Sequence, residues 1–103
     1  MSSMSLMSYA TTVNHELTVT ENHVRAAFTY GNGGNVLQLR LDYTEKHTQT
    51  NQVYSNYVSN VAYGMDKTVV AQKYADTGYR FTLASSKATV GNTVYNEILN
   101  VEP

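Results

Sequence analysis

From Val24 to Tyr43 the chain alternates between apolar and polar residues along two arms. Val24, Ala26, Phe28 and Tyr30 fall on one side of the first arm, opposite Arg25 and Thr29. Leu37, Leu39, Leu41 and Tyr43 share one side of the second, opposite Gln38, Arg40 and Asp42. Successive side chains of a strand point to opposite faces, so alternation of this length predicts two half-buried strands of one core. Between them Gly31-Asn32-Gly33-Gly34-Asn35 supplies residues that tolerate positive φ, and the chain is expected to turn there.

The remaining segments give weaker forms of the same signal. Tyr9 to Val13 reads as a short first strand, and Leu17-Thr18-Val19 alternates again before a turn at Glu21-Asn22. Thr44 to Gln52 holds no apolar residue and is expected to be a loop or a frayed strand end. Tyr54 to Tyr63 has Tyr57, Val61 and Tyr63 in one parity and Tyr54 and Val58 in the other. Neither face is purely apolar, which suggests a strand with a bulge or bend. Gly64-Met65-Asp66 and Asp76-Thr77-Gly78 read as turns around a β-rich run, Thr68 to Tyr74. Tyr79-Arg80-Phe81-Thr82-Leu83 alternates, with Tyr79, Phe81 and Leu83 expected to face inward. Ser85 to Asn92 is expected to loop around Gly91, and Thr93 to Val101 to form the last strand. A helix over Tyr54 to Met65 is disfavoured by its Tyr, Val, Ser and Asn content. About seven short strands separated by turn signals predict an all-β antiparallel sandwich. Residues 1–8 form a mobile N-terminal arm in this reading, and residues 9–103 a single sandwich domain.

Composition narrows the function classes. The chain has no cysteine, so disulfides and thiolate chemistry are excluded. Net charge is −1, with no basic stripe of the kind that nucleic-acid modules show. No apolar run approaches the roughly 20 residues needed to span a bilayer, so membrane insertion is not expected. The start has no basic n-region and no sustained apolar segment, which suggests a cytoplasmic or non-classically exported protein. Charged residues make up 15% of the chain, against about 25% in an average domain. Thr, Asn, Ser and nine tyrosines take their place, and such a surface protects poorly against edge-to-edge association.

Three segments carry a resemblance to the fibronectin type III and immunoglobulin-like sandwiches. Leu17-Thr18-Val19 with Val24 to Tyr30 resembles their first two strands, Phe28 standing where the family usually has a core Trp. Val36 to Lys46 is similar to their third strand. Asp76 to Ala84 resembles the corner and strand that carry a conserved tyrosine, here Tyr79. The resemblance implies that the two arms of Val24 to Tyr43 belong to facing sheets and arch across the core. A narrower resemblance, to the fungal immunomodulatory proteins, rests on Asn35-Val36, Gln38-Leu39, Asp42-Tyr43-Thr44, the run Ser55 to Tyr63, and Tyr79-Arg80. It implies a dimerising, glycan-binding sandwich, although their Trp-rich glycan-contacting segment is absent here.

Catalytic chemistry finds little support in the sequence. His15-Glu16 and Glu21-x-His23 lack zinc-type spacing, and these histidines are expected to be solvated strand-end residues. No histidine adjoins a nucleophile motif, and the eight acidic residues are scattered at strand ends and turns. The glycine-rich segment lacks the Lys-Ser/Thr of a phosphate loop. No enzyme, cofactor or metal is therefore expected. The tyrosines are the candidate contact residues, since Tyr offers a flat apolar face and a polar tip. Tyr54, Tyr57 and Tyr63, with the turn-tip residues Asn32 and Asn35, are expected to bind a ligand, either a glycan or a cell-surface protein. Tyr95, Tyr54 and Tyr57 are expected to mediate self-association along edge strands, making the protein a homo-oligomer. The alternative is a structural subunit of a phage particle, filament or other assembly.

Overall fold

The computed structural model describes residues 13–31, 36–63 and 67–100. Seven strands occupy almost all of them: β1 (Val13–Val19), β2 (His23–Tyr30), β3 (Val36–His47), β4 (Val53–Tyr63), β5 (Lys67–Tyr74), β6 (Tyr79–Val90) and β7 (Thr93–Asn100). They form an all-β antiparallel sandwich. One sheet has the order β1-β2-β5 and the other β4-β3-β6-β7. The expected turn at 32–35, that at Gly64-Met65-Asp66, the arm 1–8 and most of the first expected strand lie outside the described residues.

The two arms of the central alternation lie in different sheets, so β2 and β3 face each other across the core. Val24, Ala26 and Phe28 from β2 meet Leu37, Leu39, Leu41 and Tyr43 from β3, all buried, with Val69 and Ala71 of β5. Fully burying such side chains stabilises by about 1.5–3 kcal/mol each, which is why both arms keep strict alternation. The β1–β2 turn is fastened to the opposite sheet, because the Phe81 N–H donates to the Glu21 carbonyl at 2.9 Å.

Three elements depart from the sequence expectation. β3 runs on to His47, since Glu45 and Lys46 still pair with β4. β6 continues to Val90 and turns at Gly91, whose φ is +60°, where a loop was expected. β4 has no bulge against β3; its register is continuous from Val36↔Tyr63 to Lys46↔Val53. The irregularity sits in β6 instead. Thr44 pairs with Leu83 but Glu45 with Phe81, leaving Thr82 as the extra residue. One extra residue inverts side-chain parity. Phe81 is therefore buried, Leu83 turns to the outer face, and Ala84, Ser86, Ala88 and Val90 fill the core beyond it. Tyr79 also leaves the expected core. It stands at the end of the sandwich with its ring against His47 and Tyr54.

Candidate recognition face

The outer face of the four-stranded sheet follows from the register. β4 contributes Val53, Ser55, Tyr57, Ser59, Val61 and Tyr63. Behind them β3 places Gln38, Arg40, Asp42 and Thr44, β6 places Leu83, Ser85, Lys87 and Thr89, and β7 adds Val94, Asn96 and Ile98. β4 is apolar on both faces: Val58 and Ala62 pack against the core, and further apolar side chains point outward. Its outward parity leaves Tyr57 50%, Val61 44% and Tyr63 69% exposed, and its other parity carries Asn56 and Asn60 beside Val58 and Ala62. Ile98, 70% exposed, and Val94 continue the apolar surface on β7.

A fixed polar centre lies in the middle of this face. The Arg40 guanidinium donates from Nε to both oxygens of Asp42 at 3.1 Å, and its Nη2 lies 3.0 Å from Oδ1. The same guanidinium sits 3.9 Å above the Tyr57 ring. Cation–π attraction and the forked hydrogen bond thus hold one side chain from two directions. Two open hollows flank Arg40. One, of about 480 Å³, is lined by Asp42, Thr44, Ser55, Tyr57 and Leu83. The other, of about 270 Å³, is lined by Gln38, Ser59, Asn60, Val61 and Lys87.

The expected contact residues do not converge on one small site. Tyr57 and Tyr63 share the outer face but stand six residues apart on β4, roughly 20 Å at strand rise. Tyr54 has the opposite parity, and its hydroxyl donates to Gln52 Oε1 at 2.7 Å. One face of the Tyr57 ring is occupied by Arg40. Tyr95 turns toward the core, its ring 5.2 Å from Phe28. Asn32 and Asn35 lie outside the described residues. Sequence reasoning passed over Arg40, Asp42, Leu83, Val94 and Ile98. The alternation of Arg40 and Asp42 opposite three leucines did carry the signal that they share the outer face.

Of the histidines, His15 differs from expectation, whereas His23 does stand at a strand end. His15 lies mid-strand between the sheets, not in solvent at a strand end. Its Nε2 is 2.7 Å from Ser86 Oγ, its ring meets the edge of Phe28, and its Nδ1 is buried without a partner. Burial lowers its pKa, against a smaller opposing pull from Glu97. His23 stacks on Tyr74 at 4.2 Å and bonds to Gln72. His47 Nδ1 accepts from the N–H groups of Gln49 and Thr50, so it closes the β3–β4 loop. Among the described residues no three His, Asp or Glu side chains gather as a metal site.

Comparison with protein-family models, with curated proteins and with solved structures finds no match to this chain.

Proposed function

We propose that this chain is a non-enzymatic recognition module of the fibronectin type III or immunoglobulin-like kind, holding a protein partner on the outer face of its four-stranded sheet. The fold assignment is supported by the strand order, in which β2 crosses to β3 and β5 returns to the first sheet. The observation that carries the function is the apolar outer side of β4. A strand that turns Tyr57, Val61 and Tyr63 to solvent exposes apolar area at a cost, and recognition of a partner accounts for that exposure. Arg40, fixed by Asp42 and Tyr57, offers an aromatic-and-arginine centre of the sort that dominates protein interfaces. A protein fits this face better than a glycan does. The hollows are open, the tyrosines are dispersed, and the Tyr57 ring face that a sugar would stack on is shared with Arg40.

The test is a glycan array run beside affinity capture from the native source. A protein retained by the wild type and lost with Val61→Asp, but kept with Thr18→Asp on the other sheet, supports the reading. Sugar binding abolished by Tyr57→Ala would move the ligand class to glycans. Blank results in both formats remove the proposal. The assembly-subunit alternative is favoured by the open edge of β7, and electron microscopy of the purified protein separates it: ordered polymers support it and uniform small particles do not.

A further inference from the structure

The two edges of the four-stranded sheet are not equivalent. On β4 the Tyr57 N–H donates to Asn56 Oδ1 at 2.8 Å and the Val61 N–H to Asn60 Oδ1 at 2.9 Å. Asn60 Nδ2 also donates across to the Val70 carbonyl of β5 at 2.9 Å. Both asparagines thus occupy edge amides of β4, and Asn60 also ties it to the neighbouring sheet. This is how an edge is kept from pairing with another chain.

The opposite edge, β7, has no such guard among the described residues. Its free groups follow from the ladder. Because the Tyr57 and Val61 amides point away from β3, Val58 points toward it and forms a bonded pair with Leu41. Bonded pairs alternate along antiparallel strands, so Asp42 bonds Ser85, and Ser86 bonds Glu97. The N–H and C=O groups of Val94, Asn96 and Ile98 are left facing outward.

We infer that β7 pairs with β7 of a second copy, antiparallel, across a two-fold axis through Asn96. This register sets Asn96 against Asn96 of the second copy and Val94 against Ile98 of the second copy. Every outward backbone group from Val94 to Ile98 is then bonded. Ile98 and Val94, both largely exposed in one chain, cover each other on the outer face. A shift to centre on Glu97 would oppose two like charges, and centring on Tyr95 would place Ile98 against Asn92; both lose the apolar pair. Two-fold pairing closes on itself, whereas a head-to-tail contact of β7 on β4 would propagate, and β4 is the guarded edge. The pairing covers Val94 and Ile98 at the margin of the outer face and leaves Arg40, Tyr57, Val61 and Tyr63 uncovered, so it does not rest on what that face binds.

Solution mass decides the inference. Light scattering should give about twice 11.5 kDa for the wild type at tens of micromolar. Asn96→Pro removes an N–H that β6 does not use and should leave a folded monomer. Ser59→Pro, the matching change on β4, should leave the dimer intact. Ile98→Lys should also give a monomer, and it decides the matter if the proline variant fails to fold. A wild type that stays at 11.5 kDa to high micromolar concentration overturns the inference. So does a dimer that survives both β7 variants, one that falls apart with Ser59→Pro, or growth into open polymers.

Discussion

His15 on β1 and Ser86 on β6 share a 2.7 Å hydrogen bond in the space between the two sheets. Ser86 is the only polar residue buried with the core among those described, and His15 is the group that satisfies it. Ser86→Ala would leave the second ring nitrogen of His15 without a partner as well. A loss of roughly 1–2 kcal/mol is expected, measured by urea unfolding at neutral pH. Ser86→Thr, which keeps the hydroxyl, should recover part of it if the added methyl is accommodated.

The same residue gives a pH dependence. Burial lowers the pKa of His15, so the unfolded chain takes up its proton first on acidification. Stability from neutral His15 is therefore full above about pH 6.5 and is lost as pH falls from there through the folded-state pKa. The difference in Tm between wild type and His15→Gln should shift in that direction between pH 8 and pH 5. A difference that does not change with pH would contradict the placement of His15.

Glu45 should behave in the opposite sense. It faces inward past the β6 bulge, its Oε2 is buried without a partner, and burial is the main cause of its raised pKa. Asp76 adds to that shift and Lys73 opposes it. The buried carboxylate destabilises the fold above its folded-state pKa, and that penalty disappears as pH falls toward the ordinary value near 4.5. Glu45→Gln is expected to raise Tm at pH 7, with the gain shrinking toward pH 4.

The bulge at Thr82 makes a fourth prediction. Leu39→Ala should cost about 2–5 kcal/mol, because Leu39 is buried in the core. Leu83→Ala should cost under about 1 kcal/mol, because Leu83 lies on the outer face beside Thr44. Equal losses from denaturant titrations of the two variants would place Leu83 in the core and remove the bulge.

How much of this was legible in the sequence depends on the strand. β2 and β3 could be read because Val24, Ala26, Phe28 and the three leucines alternate without interruption. β6 misleads after Phe81, because a bulge that needs no glycine or proline at Thr82 leaves no mark in composition. β4 could be recognised as a strand but not oriented. Both parities hold apolar residues, and it is Val58 and Ala62 that pack inward while Tyr57, Val61 and Tyr63 face out. Tyr54 to Tyr63 and Thr93 onward, expected as edge strands, are both edges, and the weak protection that their low charge gives was readable. Their unequal protection was not, because it rests on where the Asn56 and Asn60 side chains fold back. The expected site was dispersed for the same reason: strand parity separates Tyr54 from Tyr57, and Tyr95 turns to Phe28.

The central claim, that the outer face of the β4-β3-β6-β7 sheet is the recognition surface, is tested most directly by hydroxyl-radical footprinting with and without the captured partner. Oxidation of Tyr57 and Tyr63 should fall on binding, while Tyr74, 65% exposed beside His23 on the other sheet, should be unchanged. Protection of Tyr74 with Tyr57 and Tyr63 still reactive would contradict the account.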